Sequence, residues 1–139
     1  MQVIYRSSCA TKLSRPLFAC PVSAGFPSPA EDYLEGQLDL NQHLIKHPSA
    51  TFFVRVTGDS MIGAGIHSGD ILIVDRSLEA VSGKVVIAIV NGELLVKRLK
   101  IETEVIYLVA ENNDYPVLMI TEAMNFEVWG VVTNVIHAL

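Results

Sequence analysis

The chain has no uninterrupted apolar run of the roughly 18–20 residues that a helix needs to cross a bilayer. Charges and turn residues break every candidate, so no membrane span is expected. It also lacks an excess of basic charge: 10 Lys and Arg stand against 15 Asp and Glu, a net −5. Such a chain has no general attraction for the phosphate backbone of nucleic acid, and any link to DNA or RNA is expected to run through a protein partner. Cysteine is scarce. Cys9 and Cys20 both lie in the N-terminal stretch, where a disulfide would staple nothing in the core, so a reduced, cytoplasmic thiol pair is expected. His43, His47, His67 and His137 show no metal-site spacing together with the cysteines; no metal or other cofactor is expected. An export signal is not expected either. Val22-Ser23-Ala24 before Gly25 has the small residues of a cleavage site, but Pro16-Leu17-Phe18-Ala19-Cys20-Pro21 is short and broken by two prolines, where a signal peptide needs about 7–15 apolar residues.

What is there is a globular core. Half of the 139 residues are hydrophobic and 18% are charged, a balance that excludes a disordered or coiled chain and suits one domain of this length. Charge is divided unevenly. Residues 1–24 hold Arg6, Lys12 and Arg15 and no acid, so this tail carries +3 and leaves −8 on the remainder. Tail and body should therefore attract each other, less so as salt rises. Pro27 and Pro29 force an extended or turned segment near Ala24-Gly25. Tyr33, Gln37, Leu40 and Leu44 recur near one helical face, which predicts a short helix over Asp32–Leu44, weakened by Gly36 and stopped by Pro48.

From Thr51 onward the pattern is β throughout, with strands expected at Thr51–Thr57, Ile71–Asp75, Val85–Val90, Leu94–Leu99, Val105–Ala110, Val117–Ile120 and Phe126–Ile136. Asn91-Gly92 between two apolar runs supplies the positive backbone angles of a two-residue hairpin. The expected fold is mainly β: one compact, curved β-domain with an extended N-terminal tail and one short helix.

Two residues carry the candidate chemistry. Ser60 sits in Gly58-Asp59-Ser60-Met61. Lys97 sits in Glu93-Leu94-Leu95-Val96-Lys97-Arg98-Leu99, where alternation puts it on one strand face with Leu95, Leu99 and Ile101, while Arg98 points away and can stay solvated. A serine hydroxyl is a weak nucleophile without a base, and a lysine is a base only after losing its proton, which burial among apolar groups promotes. Taken singly, each has a plainer use: the serine as a turn residue capping an amide, the lysine as a snorkelling or ion-paired side chain. Asp59, Asp70 and Asp75 read as structural acids, Gly69-Asp70 as a turn into a buried strand, and Met61 and Phe53 as core or cleft-lining residues.

The chain resembles the UmuD-type proteins of the LexA/UmuD family of self-cleaving Ser-Lys peptidases. The resemblance covers nearly the whole length. It rests on Ala24-Gly25-Phe26-Pro27-Ser28-Pro29-Ala30, Asp39-Leu40-Asn41, His47-Pro48-Ser49-Ala50-Thr51, Gly58-Asp59-Ser60-Met61-Ile62, Ser68-Gly69-Asp70-Ile71-Leu72-Ile73-Val74-Asp75, Val96-Lys97-Arg98-Leu99 and Trp129-Gly130-Val131-Val132. It implies that the fold is of the signal-peptidase-like type, Ser60 is the nucleophile and Lys97 the general base. Backbone N–H groups of Asp59 and Ser60 receive the oxyanion, and Ala24-Gly25 is the scissile bond. Enteric UmuD usually has cysteine before that glycine; alanine is as small and should be tolerated. The implied domains are a flexible tail, 1–24, removed by self-cleavage, and a catalytic and polymerase-binding body, 25–139. The implied partners are a second copy in a homodimer, a RecA filament on single-stranded DNA that stimulates cleavage in the SOS response, and a UmuC-type Y-family translesion polymerase. A LexA-type repressor would need a DNA-reading domain before the cut, and a signal peptidase a membrane anchor. A non-catalytic polymerase subunit that only binds partners remains as an alternative.

Overall fold

The computed structural model describes residues 2–6, 12–18 and 34–139 of the chain; Cys9, Cys20, Ala24 and Gly25 lie outside them. The chain divides into two units, Met1–Ser8 with His47–Leu139, and Cys9–Lys46.

In the larger unit, strands β1 (Gln2–Arg6), β4 (Thr51–Arg55), β5 (Ile71–Asp75), β6 (Val85–Val90), β7 (Glu93–Glu102), β8 (Val105–Val109), β9 (Leu118–Met119) and β10 (Phe126–Ile136) form one sheet. Its order is β1-β4-β5-β10-β6-β7-β8-β9, and every pairing is antiparallel. The mainly β expectation is met, and β5, β6 and β10 have the bounds read from the sequence. β7 runs past its expected end at Leu99 to Glu102. Asn91 and Gly92 take φ of 48° and 83° between the paired residues Val90 and Glu93, as an Asn-Gly hairpin requires. β1 was not foreseen: it lies in the segment read as a flexible tail, and it pairs with β4.

Alternation along the central strands builds two apolar clusters. One gathers Val54, Met61, Ile66, Leu72, Val74, Ile87 and Val96; the other gathers Val86, Ala88, Leu99, Leu108 and Val131. Consecutive residues of β6 thus divide between them, Ile87 going to one and Val86 and Ala88 to the other, because successive side chains leave a strand on opposite sides.

In the smaller unit, β2 (Ser14–Phe18) pairs with β3 (Leu34–Asp39), and helix α1 covers only Leu40–Leu44. The helix expected over Asp32–Leu44 is therefore a correction for residues 34–39. Asp39 has extended backbone angles, and its carboxylate accepts the N–H of Asn41 at 2.9 Å. That cap starts the helix at Leu40, and the residues before it spend their backbone groups on β2 instead. Strand pairing outweighed a weak helical stripe.

Candidate active site

Ser60 lies in the loop between β4 and β5, which is closed at its base by Val56 N–H to Asp70 C=O (3.0 Å) and Gly69 N–H to Val56 C=O (2.8 Å). Within the loop Met61, 2% exposed, and Ile66, 4% exposed, are driven into the first cluster. The buried Met61 next to it anchors Ser60, which stays half-buried with its hydroxyl turned to β7.

Lys97 stands on β7 opposite Val86 of β6, between Leu95 and Leu99, both of which pack into the second cluster. Its Nζ lies 2.9 Å from Ser60 Oγ. Burial among these apolar neighbours lowers the Lys97 pKa from its ordinary value, because an ammonium loses hydration that the neutral amine does not need. The two residues, 37 positions apart in sequence, thus form a hydroxyl–amine pair in which the neutral amine can accept the hydroxyl proton.

A second loop, between β8 and β9, holds the first in place. Gly63 N–H donates to Glu111 C=O at 2.8 Å, and a Cβ on Gly63 would come within 2.6 Å of that same oxygen, so only glycine permits this approach. Asn112 Nδ2 donates to Asp59 C=O at 3.0 Å, and the Tyr115 hydroxyl donates to the Asp59 carboxylate. The carboxylate raises the Tyr115 pKa, by accepting its proton in a hydrogen bond and by its charge. The Tyr115 ring centroid is 5.6 Å from Lys97 Nζ. Arg98 points away from Lys97 and stays partly solvated, as expected, while it pairs with Glu111 and donates to Gly83 C=O at 2.6 Å. It ties the strand that carries Lys97 to the loop that holds Asp59.

Asp59 therefore borders Ser60 as an acceptor for Tyr115. Among the described residues, the backbone N–H groups of Asp59 and Ser60 have no hydrogen-bond partner. Asp75 is buried, a cost that alone would raise its pKa, but hydrogen bonds from Ser77 and His47 outweigh it and hold the carboxyl below its ordinary value. Asp70 is likewise lowered against the cost of burial by the His67 backbone N–H and by His137. Gly69-Asp70 does make the turn into β5. The Tyr115, Asn112 and Glu111 contacts were not foreseen. Their only signal in the sequence is a polar, turn-rich run, Glu111-Asn112-Asn113-Asp114-Tyr115-Pro116, between two strands.

Among the described residues no helix is long and apolar enough to cross a membrane. The pattern of the family described as Peptidase S24-like matches residues 16–133. The chain is 44% identical over 133 residues to Protein MucA of Salmonella typhimurium, covering 94% of this chain and 90% of that one. It is 48% identical over 122 residues to Protein SamA of Salmonella typhimurium strain LT2, covering 88% and 84%. Against the LexA repressor of Shewanella denitrificans it is 39% identical over 127 residues, covering 91% of this chain and 61% of the repressor.

Proposed function

The chain belongs to the Peptidase S24-like family, and from that premise we propose that it is a UmuD-type SOS protein that cleaves its own Ala24-Gly25 bond with Ser60 and Lys97. The observation that carries this is the 2.9 Å contact between Ser60 Oγ and a lysine amine whose pKa burial lowers. Neutral Lys97 takes the Ser60 proton as Oγ attacks the Ala24 carbonyl, and the backbone N–H groups of Asp59 and Ser60 stabilise the oxyanion. Collapse breaks the C–N bond, the Lys97 ammonium returns its proton to the leaving Gly25 amine, and water hydrolyses the ester on Ser60. Lys97 regains its neutral state, and residues 1–24 are released.

In this proposal a RecA filament on single-stranded DNA stimulates the cut in the cytoplasm. The processed homodimer then joins a UmuC-type Y-family polymerase for translesion synthesis. The likeness to MucA, SamA and the LexA repressor supports the setting.

Intact mass tests it. Purified protein is incubated at mildly alkaline pH and, separately, with RecA, single-stranded DNA and a non-hydrolysed ATP analogue, beside Ser60→Ala and Lys97→Ala controls. Loss of residues 1–24 only when both side chains are present is the expected result. An unchanged mass under both conditions would favour a subunit that only binds partners.

A further inference from the structure

Away from Ser60 and Lys97, the open end of the β5/β10 pair brings three side chains together that sequence spacing keeps far apart. The last rung of that ladder is Ile71 opposite Ile136. One residue beyond it on each strand stand Asp70 and His137, and the turn that enters β5 adds His67 three residues before Asp70. His137 Nδ1 lies 2.6 Å from Asp70 Oδ1, and His67 Nδ1 lies 3.8 Å from Asp70 Oδ2. The two imidazole rings face each other with centroids 4.4 Å apart, and one ligand atom from each of the three residues lies within 4.8 Å of the others.

We propose that His67, Asp70 and His137 form a binding site for a divalent transition-metal ion, with zinc as the ion of reference. Two independent features point there. Asp70 is 5% exposed, a buried carboxylate aimed between two histidines. The Nδ1 of His67 is buried without a hydrogen-bond partner, a state that normally costs free energy and that a metal bond would relieve. Two imidazoles and one carboxylate suit zinc and its neighbours, whereas calcium and magnesium need a shell of oxygens. Three protein ligands leave a fourth, tetrahedral position for water, and the two histidine side chains, 44% and 39% exposed, place the site at the surface. Seated there, the ion clamps the end of the Ser60 loop to the residue that follows the last strand.

The test uses the full chain carrying Ser60→Ala, so that its mass stays constant, with zinc ions alone as titrant near neutral pH, followed by calorimetry. One ion per chain should bind, with a rise in the thermal midpoint. Replacing Cys9 and Cys20 by serine should leave the affinity unchanged. His67→Gln and His137→Gln should each weaken it by about tenfold or more. Cobalt ions supply a readout that needs no variant: they should broaden the ring signals of His67 and His137 in NMR spectra and give a visible spectrum with no thiolate-to-metal band. The proposal is overturned if zinc does not bind, if affinity survives in the double histidine variant, if it vanishes with the cysteines, or if cobalt spares both rings.

Discussion

At the scale of single residues, the proposed self-cleavage turns on one proton on Lys97. An ordinary lysine holds it until about pH 10.4, and the Lys97 amine gives it up at lower pH because burial penalises the charged form. Only the neutral amine can accept the Ser60 proton. Self-cleavage without any stimulating partner should therefore rise with pH and level off below the pH at which a free lysine titrates, as read by intact mass against time across a pH series. A rate still climbing with an apparent pKa of a free lysine would mean that the contact does not tune the amine. Alternation places Lys97 in an apolar row of its strand, but singling out Ser60 as its partner rested on the family resemblance, because nothing local joins residues 37 positions apart. Tyr115 and Asn112 were not legible, because their bonds to Asp59 span 56 and 53 residues and no local pattern encodes them. The same holds for His67, Asp70 and His137, which meet only because Ile71 pairs with Ile136.

At the scale of elements, two hairpins of equal length differ in how well their turns suit their geometry. Asn91-Gly92 joins β6 to β7 with residues that accept positive φ. Thr103 and Glu104 join β7 to β8 with φ of 49° and 65°, between the paired residues Glu102 and Val105. A β-branched residue in the left-handed region costs about 1–2 kcal/mol, which is why this turn has no signature in the sequence although both flanking strands do. Replacing the pair by Asn-Gly should stabilise the protein by about 1 kcal/mol, after allowing for the freedom that glycine adds to the unfolded chain. Thermal unfolding should show a midpoint higher by roughly 3–4 °C; an unchanged or lower midpoint would mean that Thr103 and Glu104 make compensating interactions. The misread helix has the opposite lesson. Leu34–Asp39 carries a helical stripe, yet pairing with β2 supplies its backbone bonds and the Asp39 cap fixes where the helix begins.

At the scale of the whole molecule, strand order ties the proposed cut to a change of surface. β1 lies inside the segment that cleavage at Ala24-Gly25 would remove, and it covers one edge of β4. Once residues 1–24 leave, Thr51–Arg55 becomes an edge strand whose backbone N–H and C=O groups on one side have lost their partners. Such an edge is a template for a strand from another chain. Removal of the tail also strips +3 from a body of −8, so the exposed edge belongs to a more uniformly acidic molecule that favours a basic partner. Amide hydrogen exchange on dilute processed protein should then be faster in β4 than in the full-length Ser60→Ala protein, while β5, paired on both sides by β4 and β10, keeps its protection. Adding a polymerase partner, or raising the concentration of the processed chain itself, should restore slow exchange in β4 if strand addition is how that surface is used. Equal β4 exchange before and after cleavage would show that β1 contributes no protection, and the link between the cut and a newly opened edge would fail.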